Sequence, residues 1–168
     1  MSHLYSLSTF GLQPWTGMIR NKLTWKLSPE NWSIGQLYIH LMQDSYFYID
    51  QLKYCILHPG NEQEEAMPAA KKMFANERFP DQRIKGAPSN ALIPQPESKE
   101  WLFLQMKSLK AAIDQVVILV ADNPVTGKTK HPGLGYFDAR EWLHFMSMHF
   151  RHHEKQLERL DEFYQNRV

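Results

Sequence analysis

Between Trp142 and Phe163 the chain has neither proline nor glycine, and Trp142, Met146, His149, His153, Gln156, Leu160 and Phe163 follow at alternating steps of four and three. At 3.6 residues per turn that spacing keeps all of them on one face of a helix. The apolar members of the face belong in a core. Its middle carries two histidines, one turn apart along the axis and about 40° apart around it. Two imidazoles so placed can converge on one metal ion, because each needs a metal–nitrogen distance of only ~2.0–2.1 Å. The spacing alone leaves a second reading open. His144, His149, His152 and His153 crowd into one short stretch, and partly buried histidines bonded to their neighbours fit the same pattern.

The rest of the chain supplies surfaces for that face to pack on. Pro14 suits the first turn of a helix in which Trp15, Met18, Ile19 and Leu23 keep helical spacing, ending near Leu27, before Pro29. Ser33, with Gln36 three residues on, has the capping-box pattern and opens a second helix over 34–57. Ile34, Leu37, Leu41, Tyr48, Leu52 and Cys55 mark its inner side, with His40 on the flank, and His58-Pro59-Gly60-Asn61 stops it. From 61 to 97 the chain is punctuated by Pro68, Pro80, Pro88, Pro94 and Pro96. It reads as a long surface connection with one short helix over about 62–76, and a connection of this length is usually functional or partly disordered.

Ser98 caps a third long helix, from Lys99 to about Asp122, with Trp101, Leu104, Gln105, Ser108, Leu109, Ala112, Val116, Leu119 and Val120 as its inner stripe. The β-branched run at 116–120 stays in phase with that stripe and is read as helix. Lys130 to Asp138 is a tight segment with two glycines, and Asp138, with Glu141 three residues later, caps the last helix. Four long helices and almost no alternating pattern predict an all-α fold. It is a four-helix bundle with a long irregular connection between helices two and three, formed by residues 1–168 as one domain.

Composition removes several function classes. Lys plus Arg number 19 against 18 Asp plus Glu, with no basic run, so the phosphate-neutralising charge that drives nucleic-acid binding is missing. No apolar stretch approaches the ~20 residues of a membrane span. The first residues lack the basic start and apolar run of a secretory signal, so the expected location is cytoplasmic. The single cysteine, Cys55, forms no intrachain disulfide and fits a reducing compartment. A G-x-S-x-G elbow is absent, and Gly127-Lys128-Thr129 lacks the upstream glycine of a phosphate loop.

Bundle cores build metal sites from side chains on facing helices. His40 on the second helix, with His149 and His153 on the last, makes a three-histidine set. Neutral imidazoles leave a divalent ion its full charge and at least one position for water or substrate. Zinc is the default; nickel, iron and manganese suit the same ligands.

Trp32-Ser33-Ile34-Gly35-Gln36-Leu37-Tyr38-Ile39-His40-Leu41 resembles the second-helix motif of the DinB/YfiT-like superfamily of metalloenzymes. His131-Pro132-Gly133-Leu134-Gly135, Glu141-Trp142 and His149-Phe150-Arg151-His152-His153-Glu154-Lys155-Gln156 resemble a branch with an H-P-x-x-G turn and a closing H-x-x-H-H-x-x-Q helix. The resemblance implies a four-helix bundle and a divalent ion, zinc or nickel, held by His40, His149 and His153. It also implies a homodimer acting on a small molecule. Several members conjugate a low-molecular-weight thiol such as bacillithiol, mycothiol or glutathione, and others resemble thiol-using maleylpyruvate isomerases. The expected function is therefore a thiol-dependent S-transferase. A metal-dependent hydrolase using water, and a non-catalytic bundle that binds a small molecule or partner, are the alternatives. The family name carries no expectation of DNA binding.

Three residues beside the ligands are candidates for catalysis. Asp44, one turn after His40, could orient that ring, as metal-bound histidines usually require, or make a polar contact within its helix. His152 could replace His153 but lies beside the seam, which suits the rim. Gln156 could line the pocket or bond near the helix end. His144 is read as exposed or packing, His131 as serving the turn before the last helix, and His3 and His58 as surface residues. Cys55 is ~22 Å from His40 at 1.5 Å per residue, too far to be a fourth ligand.

Overall fold

A computed structural model describes residues 20–80, 92–124 and 127–167. In chain order it has helices α1 (Arg20–Thr24), α2 (Ile34–Leu57), α3 (Pro68–Asn76) and α4 (Lys99–Asp122), strands β1 (Lys128–His131) and β2 (Gly135–Asp138), and helix α5 (Ala139–Gln165). The fold is an all-α bundle with a small hairpin inserted before its last helix. Helix α2 is central, packing along α5 on one side and against α4 on the other.

Local sequence accounts for the helix starts. The Ser33 hydroxyl accepts from the Gln36 backbone N–H, and the Gln36 side chain accepts from the Ser33 N–H, closing the expected capping box on α2. Asp138 and Glu141 do the same for α5, and Ser98 caps α4 through the Trp101 N–H. Each such cap stabilises its helix by about 1 kcal/mol. Pro68 is the first residue of α3, where its missing N–H costs nothing.

The first helix is a partial match. Pro14, Trp15, Met18 and Ile19 lie outside the described residues, and the helix stops at Thr24 rather than near Leu27. The Ser28 hydroxyl bonds the side chains of Glu30 and Asn31, which fixes a turn around Pro29. Leu27 is exposed, so an added helical turn would bury little. Lys22 and Asp161 form an ion pair that ties α1 to α5.

The inner stripe of α4 also differs from the expected one. Leu102, Met106, Leu109, Ile113, Val116 and Val120 are buried, at regular steps of four and three, while Leu104 and Ser108 face solvent. The helix is rotated so that this cleaner row meets α2, leaving Trp101 and Ala112 at its edge. The run at 116–120 is helical, as expected.

The hairpin departs from the all-helical sequence expectation. β1 and β2 pair antiparallel from Lys128↔Asp138 to His131↔Gly135. Four residues per strand, with β1 polar throughout, are too few for a visible alternation. The hairpin docks on the chain after α2 through backbone bonds from Lys128 N to Gly60 O, Met67 N to Leu134 O and Tyr136 N to Glu65 O. Close approach dictates two glycines. A Cβ on Gly127 would stand 2.1 Å from the His58 carbonyl oxygen. Gly135, at φ +87°, would meet Glu65 O at 2.6 Å.

Trp142 joins hairpin to bundle. It is fully buried, its Nε1 donates to Thr129 Oγ1 at 2.7 Å, and its ring stacks on Tyr48 of α2. Truncating such a residue to Ala costs about 3–5 kcal/mol. These contacts fix the start of α5 against the middle of α2, which sets where the later turns of α5 face His40. Among the described residues no helix is long and apolar enough to cross a membrane.

Candidate metal centre

His40 lies on the buried side of α2, and His149 and His153 lie on consecutive turns of α5 that pack on it. All three are buried, at 5%, 7% and 7% exposure. Their rings turn the same atom inward. His153 Nε2 stands 3.1 Å from His40 Nε2 and 3.0 Å from His149 Nε2. The three ligand atoms lie within 4.8 Å of one another. Nitrogens sharing one ion at ~2.0–2.1 Å stand roughly 2.9–3.4 Å apart, so the two separations at His153 fit a common ligand set.

The protons support that fit. Gln156 Oε1 lies 2.9 Å from His153 Nδ1, and an amide oxygen only accepts, so Nδ1 carries the proton and Nε2 a lone pair. Asp44 Oδ1, 3.7 Å from His40 Nδ1, favours the same tautomer there. In that tautomer the Nε2 lone pairs of His40 and His153 point at one another across 3.1 Å, a geometry suited to sharing a cation. A proton serves that role poorly. Burial, then the neighbouring His153 and His40, holds His149 well below its ordinary pKa. Burial and His40 push His153 down to about 3. Burial also lowers His40, against the pull of Asp44. His149 Nδ1 is buried with no hydrogen-bond partner among the described residues, so this ring, unlike that of His153, has no neighbour that fixes its tautomer.

Around the nitrogens stand one carboxylate and two aromatic walls. Asp44 is partly exposed, with Oδ2 3.7 Å from His149 Nε2 and accepting from the Tyr48 hydroxyl at 3.3 Å. Burial raises its pKa, offset in part by His40 and by the Tyr48 hydrogen bond. The Trp32 ring lies 4.7 Å from the His40 ring and 6.5 Å from that of His153. On the other side Phe79 packs edge-on against His149 and His152.

A family model, the DinB superfamily, matches residues 14–157. The chain belongs to the DinB superfamily. No curated protein and no solved structure matches it.

The DinB-type bundle thus brings together His40, His149 and His153, with Asp44 and Gln156 in contact with the set. His152 stands exposed at the rim, 5.0 Å ring to ring from His153 and outside the convergent group. Asp44 reaches two histidines rather than one, and both separations are longer than a hydrogen bond. His144 packs on Phe74, and His58 is exposed against Tyr54. His3 lies outside the described residues. His131 serves the turn, where Nδ1 accepts from the Gly133 N–H at 3.1 Å. Cys55 is held in the hairpin junction by Thr129 and Phe137 O, and burial pushes its thiol up. Sequence reasoning missed three residues of the site. Tyr48 had a signal, one turn beyond Asp44. Trp32 and Phe79 flank the helices and reach the site only through the path of the connections.

Proposed function

We propose that this DinB-family chain is a metal-dependent enzyme that joins a low-molecular-weight thiol to an electrophilic small molecule. His40, His149 and His153 hold one divalent ion, zinc or nickel. The observation that carries the reading is the convergence of three buried, neutral Nε2 atoms on one point. A divalent ion held there supplies Lewis acidity that favours the anion of a thiol or water near neutral pH.

The chain's own residues supply the rest. Asp44 stands beside the set as the proton acceptor, and burial makes it a stronger base than a solvated carboxylate. The Tyr48 hydroxyl steadies its Oδ2. Trp32 and Phe79 keep water from two sides, which strengthens every charge interaction inside. Cys55 takes no part, being buried in the hairpin junction with its thiol protonated.

Untagged protein loaded with zinc and offered glutathione, bacillithiol or mycothiol with a chloronitrobenzene electrophile tests the proposal. Thiol-dependent product formation that a chelator abolishes is expected. Product formation that ignores the chelator contradicts it. Asp44 also favours a second reading, hydrolysis with water in place of the thiol, which ester substrates offered without thiol would reveal. A homodimer belongs to the same proposal and rests on the family resemblance, and a cytoplasmic location belongs to it because the single cysteine fits a reducing compartment; sedimentation of the full chain tests the first.

A further inference from the structure

Gln156 lies one turn beyond His153 on α5, half-buried, with its amide oxygen 2.9 Å from His153 Nδ1. That bond does more than hold the ring. With the oxygen turned to it, Nδ1 must carry the single proton of a neutral imidazole. His153 Nε2 then offers a lone pair at the point where it is 3.1 Å from His40 Nε2 and 3.0 Å from His149 Nε2. In the opposite tautomer the Nε2 proton would find ready acceptors in those two nitrogens. His153 would then donate to one of its two neighbours, and it would have no Nε2 lone pair for a cation.

We propose that Gln156 is a positioning residue that sets the tautomer of His153 and so decides whether the three histidines present open lone pairs or bond to one another. The functional consequence rests on the metal-site reading above, but the tautomer can be read without metal.

The test uses the full-length, nitrogen-15-labelled chain, stripped of metal, as wild type, Gln156→Leu and Gln156→Glu. Long-range proton–nitrogen correlation spectra report which ring nitrogen of His153 is protonated, and zinc titration reports affinity. Wild type and Gln156→Glu, which keeps an acceptor oxygen, should hold the proton on Nδ1 and bind zinc within a few-fold of each other. Gln156→Leu should move the proton to Nε2 and weaken zinc by about 10- to 100-fold. An Nε2 proton in wild type overturns the inference. So does a Gln156→Leu chain with unchanged tautomer and zinc affinity. If wild type binds no zinc but its tautomer follows residue 156 as stated, the role of Gln156 stands and the metal reading falls.

Discussion

His149 and His153 lie one turn apart on α5 and bring their Nε2 atoms to within 3.0 Å of each other. A helix delivers such a pair by its pitch alone, but a pair is only part of a site. Completion comes from His40 on α2, 3.1 Å from His153, and so depends on how the two helices are docked. Docking is set at the Trp142–Tyr48 stack, which borders the site through Tyr48, and at the capped helix starts.

Asp44 separates ligand binding from chemistry. Its oxygens are 3.7 Å from His40 Nδ1 and from His149 Nε2, outside the convergent set. Asp44→Asn should therefore keep wild-type zinc content while lowering kcat by about 10²–10⁴. Loss of zinc in that variant would make Asp44 a ligand, and unchanged kcat would end its role as base.

His131 should make the fold sensitive to acid. Its Nδ1 accepts a backbone N–H, which needs the neutral ring, and burial pushes its pKa from 6.5 to about 4. Between those values the unfolded chain takes up a proton that the native chain refuses. The stabilisation is full above pH 6.5 and is lost as pH falls toward 4. The ring is partly open to water, so the loss is about 1–2 kcal/mol. Urea unfolding of wild type and His131→Gln at neutral and mildly acidic pH checks this: the variant should lose less stability on acidification. Equal losses would contradict it.

Two glycines beside the hairpin should respond in opposite ways. Gly127→Ala places a Cβ 2.1 Å from one backbone oxygen and 2.9 Å from another, neither able to swing aside. It should cost at least about 2 kcal/mol. A Cβ on Gly133 meets nothing within 4 Å, so Gly133→Ala should stay within about 0.5 kcal/mol of wild type. Denaturant midpoints of the two variants decide the matter.

Much of this was legible in the sequence because it is written in local patterns. Ser33–Gln36 and Asp138–Glu141 are three-residue signals that fold into the boxes they spell. The four-three spacing through His149 and His153 fixes their shared face whatever the tertiary structure. The hairpin was illegible because its strands are stabilised by docking on Gly60 and Glu65, not by their own composition. The phase of α4 was misread because Trp101 and Leu104 are apolar without being inward, and only packing against α2 distinguishes them from Leu102 and Met106. Phe79 reaches His149 through a fold of the connection that no nearby residue announces.

The most direct measurement is the metal content of untagged protein by mass spectrometry, in wild type and in His40→Ala, His149→Ala and His153→Ala. About one divalent ion per chain in wild type, lost in all three variants whose fold circular dichroism verifies, is the predicted result. Wild type that stays empty after incubation with zinc or nickel would contradict the metal centre and leave a bundle whose histidines serve only each other.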